Sequence, residues 1–107
     1  MRNITESDMY YPLLLVLKCY HGKATKPEIA DALAMVMRAP KEYLETPSGA
    51  KTQETQFMKD LNWAGNRLGH AGLLVKIRGS HWELTPLGMT KDFSESELAQ
   101  FVAQHNK

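Results

Sequence analysis

The sequence holds 107 residues and is 43% apolar, enough for one compact core. Its formal charge of +1 argues against a strongly basic nucleic-acid coat, and Cys19, its one cysteine, excludes an internal disulfide and a cysteine-rich zinc site. No apolar run reaches the roughly 18 residues of a membrane span and the start, Met1 to Glu6, lacks a signal-type pattern, so a reducing, cytoplasmic location with no membrane partner is expected.

The charge is unevenly spread. Residues 1–50 are balanced and residues 82–107 carry net −2, whereas between 51 and 81 five cations, Lys51, Lys59, Arg67, Lys76 and Arg78, face only Glu54 and Asp60. A modest basic patch is thereby focused on one segment.

A first helix is predicted at about 8–20, with Tyr10, Leu13, Leu14, Leu17 and Tyr20 on one stripe and Pro12 in the tolerant first turn. Gly22 reads as a stop. Thr25-Lys26-Pro27-Glu28 then reads as a capping box opening a second helix at about 26–37, whose stripe of Ile29, Leu33, Val36 and Met37 is expected to face inward. From Ala39 to Lys51 the periodicity lapses at Pro40, Pro47, Ser48 and Gly49, with Tyr43 and Leu44 as anchors of a single helical turn. A third helix is predicted at about 53–71, because Phe57, Leu61, Ala64, Leu68 and Ala71 fall within a narrow arc and Gly72 ends the pattern.

Leu73 to Arg78, Gly79-Ser80 and His81 to Leu84 read as a hairpin with a two-residue loop of type II′. That register pairs Ile77 with Trp82 and Val75 with Leu84 on an apolar face, and Lys76 with Glu83 and Arg78 with His81 on a polar one. Thr85-Pro86 caps a short helix running to Lys91. Ser94-Glu95-Ser96-Glu97 is a second capping box, stapled by Phe93 and Leu98, for a helix at about 95–105 with the stripe Leu98, Phe101, Val102 and His105.

Three helices, a two-stranded hairpin and a short helix form the element order of a winged helix-turn-helix, so the predicted class is α+β, mostly α, with an added C-terminal helix. The runs Tyr11-Pro12-Leu13-Leu14, Pro47-Ser48-Gly49, Trp63-Ala64, Leu68, Ala71-Gly72-Leu73 and Trp82 to Gly88 resemble the N-terminal domain of Mrr-type restriction endonucleases. The resemblance implies a winged-helix DNA-binding domain over 1–92, as the targeting module of a bacterial or phage-like restriction system. The family's nuclease domain carries an acidic residue and a Glu/Gln-x-Lys metal site, and no such triplet occurs here. A separate nuclease domain or subunit is the partner this implies. The family commonly has basic residues where this chain has Asp60, Gly65 and Gly69. Residues 93–107 form the C-terminal amphipathic helix, whose stripe needs a cover from the first helix or from a second copy, so a homodimer is one expectation.

The polar side of the third helix offers Thr52, Thr55, Gln56, Lys59, Asn62, Asn66 and His70, flanked by Trp63 and Arg67. Asn and Gln pair with adenine edges, and a lysine reaches guanine or phosphate, so these residues suit major-groove readout of double-stranded DNA. At the hairpin tip Arg78, Ser80 and His81 are candidates for phosphate or minor-groove contact. An ordinary solvated helix face and turn would have the same composition. His21, His70, His81 and His105 lack metal-ligand spacing, and neither a phosphate loop nor a serine elbow occurs, so no catalytic residue, metal or cofactor is expected. A protein–protein adaptor and a transcription regulator are the competing readings.

Overall fold

The computed structural model describes residues 5–47, 49 and 54–106. A 3-10 turn, Glu6–Met9, leads into α1, Tyr10–Cys19, followed by β1, Lys23–Ala24, α2, Lys26–Val36, and the short α3, Lys41–Glu45. The remaining elements are α4, Gln56–His70, β2, Leu74–Lys76, β3, Trp82–Leu84, α5, Pro86–Thr90, and α6, Glu95–His105. The fold is α+β and mostly helical, with the three strands forming one antiparallel sheet in the order β1-β3-β2.

The helices α2, α4, α5 and α6 each begin at a side chain that caps them, Thr25, Thr55, Thr85 and Ser94. Thr25 accepts from Glu28 N while Glu28 returns the bond to Thr25 N, and Ser94 and Glu97 repeat the arrangement on α6. The capped form is the ionised one, which holds both carboxyls below the usual glutamate range. At the end of α4, Leu73 N donates to Leu68 O and Gly72 N to Gly69 O, with Gly72 at φ 80°. That is the paired-bond C-terminus that glycine favours. The same closure ends α1, but there His21 (φ 61°) takes the position that Gly72 holds on α4, and Gly22, which the sequence marks as the stop, follows it at φ 99°.

The core gathers Leu13, Leu17, Ile29, Leu33, Leu61 and Leu68, all fully buried, and includes Leu98 and Val102 of α6. Leu98 and Val102 of the α6 stripe are thus covered within the same chain, where α6 packs on α1 and α4, α1 being the first of the two covers considered above. Three stripe residues turn outward instead, since Tyr20 follows the end of α1, Val36 stands in the last turn of α2 and His105 ends α6, and all three are exposed. Tyr43 and Leu44 do anchor the short α3, both half-buried against the core.

The hairpin departs from its predicted register by one residue. Leu74 pairs with Leu84, Val75 with Glu83 and Lys76 with Trp82, and Ser80 N closes a four-residue turn on Ile77 O. Gly79, at φ 76°, occupies the third turn position, where a positive φ marks a type II rather than a type II′ turn. Since side chains alternate, the slip carries Val75 and Ile77 to the outer face, 47% and 41% exposed, and brings Lys76 inward beside Trp82. The expected Lys76–Glu83 and Arg78–His81 pairs are therefore not formed. Two features favour this register. Trp82 needs the inner face to pack on α4, and β1 adds a strand that the sequence reading lacked, pairing Lys23 with Glu83 and Ala24 with Trp82.

Candidate nucleic-acid interface

The polar side of α4 divides into an open arc and two occupied flanks. Lys59, Trp63, Asn66 and His70 are exposed, Trp63 to 49%, and Asn62 is half-buried. The Lys59 side chain has no hydrogen bond or ion pair among the described residues. Thr55 is the N-cap, its hydroxyl accepting from Met58 N at 3.2 Å, and Thr52 lies outside the described residues.

On one flank the polar groups bind inward. Gln56 Nε2 donates to Asp60 Oδ1 at 2.9 Å, and the Tyr43 hydroxyl donates to the other oxygen of the same carboxylate. Burial, reinforced by that carboxylate, pushes the Tyr43 phenol far above its ordinary range. Arg67 Nε meets Glu6 Oε1 at 3.2 Å, while its carbonyl accepts from Asn106 Nδ2 at 3.1 Å. His70 Nδ1 lies 3.1 Å from Asn106 Oδ1. Arg67 and His70 are thus tied to the chain ends.

The other flank carries the hairpin. A Cβ on Gly65 would lie 2.7 Å from two Trp82 ring carbons and 2.8 Å from Lys76 Cε, so only glycine lets the indole and the lysine stem lie against α4. The Lys76 ammonium stands 4.4 Å from the Trp82 ring centroid and donates to Asn62 O at 2.9 Å and Asn66 Oδ1 at 2.7 Å. Burial, with a contribution from the Lys26 charge, lowers its pKa. Asn62 Nδ2 in turn donates to Glu54 Oε2 at 3.0 Å.

At the hairpin tip Arg78 is exposed, and its side chain has no partner among the described residues. Ser80 Oγ lies 2.7 Å from His81 Nδ1, whose Nε2 lies 2.9 Å from Glu83 Oε2. A groove of about 370 Å³ runs between the tip and the start of α2, bordered by Lys26, Pro27, Lys76, Arg78, His81 and Trp82. The arrangement offers two cations without a partner among the described residues, Lys59 and Arg78, beside a row of amides, which suits contact with an anionic polymer.

Sequence reasoning missed Lys26, Glu54, Gly65 and the inward role of Lys76. Gly65 carried a signal, because a glycine inside a helix costs stability and commonly marks a close approach. Among the described residues no cluster of three or more His, Cys, Asp or Glu stands ready for a metal, and no helix is long and apolar enough to cross a membrane. The family model described as the Mrr N-terminal domain matches residues 7–93. No curated protein and no solved structure matches the chain.

Proposed function

The chain belongs to the Mrr N-terminal domain family, and on that premise we propose that it is a winged-helix module that binds duplex DNA for a restriction-type system. In this reading α4 enters the major groove and the β2–β3 hairpin is the wing. Cleavage belongs to a nuclease domain or subunit and not to these residues, since the matched family is the N-terminal domain. The observation that carries the reading is the open arc of α4, where the Lys59 side chain has no partner among the described residues and lies on the same helix side as Asn62, Trp63 and Asn66. A helix fits the major groove, amides read base edges there, and cations outside it neutralise phosphates.

The test separates charge from readout. Lys59→Ala and Arg78→Ala should each reduce the slope of log K against log salt by about one unit, with affinity falling for all duplexes alike. Asn62→Ala and Asn66→Ala should leave the slope intact and relax base preference. Unchanged affinity and slope in both cation variants, with the fold intact by circular dichroism, would overturn the assignment.

The outward Val75 and Ile77 favour a second reading, a protein-docking module. It predicts binding that is nearly insensitive to salt and lost on Val75→Ser, whereas the DNA reading predicts steep salt dependence.

A further inference from the structure

We propose that Lys76 and Glu54 preset the two asparagines of α4 in opposite senses, so that Asn66 offers DNA a hydrogen-bond donor and Asn62 an acceptor. The inference rests on the DNA-binding reading above and goes on to the bases read. An unconstrained asparagine favours adenine, offering its oxygen to the N6 amino group and its nitrogen to N7. Neither amide is unconstrained here.

Asn66 Oδ1 accepts from Lys76 Nζ at 2.7 Å. An ammonium has three donors and no acceptor, so a flipped Asn66 would set its own NH2 against a charged donor. The lysine cannot easily withdraw, because it also holds Asn62 O at 2.9 Å and lies over the Trp82 ring. The unspent group of Asn66 is therefore Nδ2, with two donors. Guanine presents two major-groove acceptors, O6 and N7, side by side, whereas adenine sets an amino donor beside its N7. Held this way, Asn66 favours guanine over adenine.

Asn62 is fixed by the opposite chemistry. One of the two hydrogens on its Nδ2 goes to Glu54 Oε2 at 3.0 Å, and a carboxylate has no proton to give, so the amide is held with Oδ1 as the group that has no partner among the described residues. That oxygen fits the amino group of cytosine or adenine. Four residues apart on one helix, the two asparagines are neighbours and fall on the same or adjoining base pairs.

Selection from a randomised duplex pool at low salt tests this with the full chain, using wild type, Asn66→Ala, Lys76→Met and Glu54→Ala. The wild type should enrich a position occupied by guanine that becomes indifferent in Asn66→Ala. In Lys76→Met, which keeps an apolar stem on Trp82 but frees the amide, the guanine-to-adenine preference there should fall by about tenfold, the scale of one bidentate contact. In Glu54→Ala, a change on the exposed surface that leaves the core untouched, an amino-bearing base at a neighbouring position should lose its advantage. Adenine at the Asn66-dependent position in wild type, or an unchanged preference in both Lys76→Met and Glu54→Ala, would overturn the inference while duplex binding stands. Failure of the wild type to retain any duplex would instead overturn the DNA reading, and this inference with it.

Discussion

The two flanks of α4 are built from similar residues and use them in opposite ways. Toward the hairpin, Lys76 holds Asn66 and the Asn62 carbonyl, yet each asparagine keeps half of its amide unspent. Toward the N-terminal turn and α6, Asp60 is taken by Tyr43 and Gln56, and Arg67 by Glu6. Residue type on a helix face thus does not reveal availability. The deciding partner comes from elsewhere in the chain, 61 positions away for Arg67.

The sharpest way to break the hairpin flank is Gly65→Ala. The added methyl meets a buried indole at 2.7 Å, and the ring cannot yield without moving β3. Overpacking of this kind costs about 1–3 kcal/mol, read by urea denaturation. Duplex affinity should fall too, because the displaced hairpin takes Lys76 and Arg78 with it. Full stability in Gly65→Ala would mean that the hairpin does not rest on α4 in this way.

Tyr43→Phe probes the opposite flank. It removes one charge-assisted donor from Asp60 while keeping the edge contact with Phe57, at a cost of about 1–2 kcal/mol at neutral pH. The sign with pH follows from the raised phenol: stability contributed by Tyr43 is fully present below about pH 10, its ordinary value, and is lost as pH rises further. Tyr10, raised chiefly by burial, acts in the same direction, while the lowered Lys76 gains stability up to its ordinary 10.5. Subtracting the variant from wild type isolates Tyr43. The difference should be constant from about pH 7 to 9 and shrink above about pH 10, and a flat difference would contradict the buried phenol.

Gly69→Ala supplies the contrast within one helix. A Cβ there meets only Leu74 O at 3.6 Å, an ordinary contact, so alanine should stabilise α4 by about 0.5–1 kcal/mol through backbone entropy. The same substitution four residues apart should therefore change sign.

Much of this was legible in the sequence because it is local. The α2 and α6 capping boxes, the α4 stripe and the α5 Thr-Pro start each depend on residues within a turn or two, and all form as read. The hairpin register was not local. Alternation of Val75, Ile77, Trp82 and Leu84 satisfied one pairing on paper, but burial of Trp82 against Gly65 and the pairing of β3 with β1 selected the other. The candidate residues split for the same reason. Exposure of Lys59, Trp63 and Asn66 follows from helical spacing, whereas the ties on Arg67 and His70 come from Glu6 and Asn106, which no pattern around α4 announces.

The smallest expected effect is the most discriminating. Arg67 lies in the basic segment and on paper equals Lys59 as a phosphate contact, yet its guanidinium is already paired with Glu6 on the flank facing α6. If that pairing persists in the complex, Arg67→Ala releases no counterion and leaves the salt slope within error, where Lys59→Ala reduces it by about one unit. The loss of stability should also be small, at most about 1 kcal/mol, since the guanidinium side chain is 42% exposed and solvent screens such pairs. Glu6→Gln sharpens the comparison. It frees the guanidinium without deleting it, so a slope that steepens in Glu6→Gln but does not change in Arg67→Ala would show the ion pair withholding a cation from DNA. A slope reduced by about one unit in Arg67→Ala would mean instead that DNA displaces Glu6, and the division of α4 into an open arc and two occupied flanks would have to be redrawn.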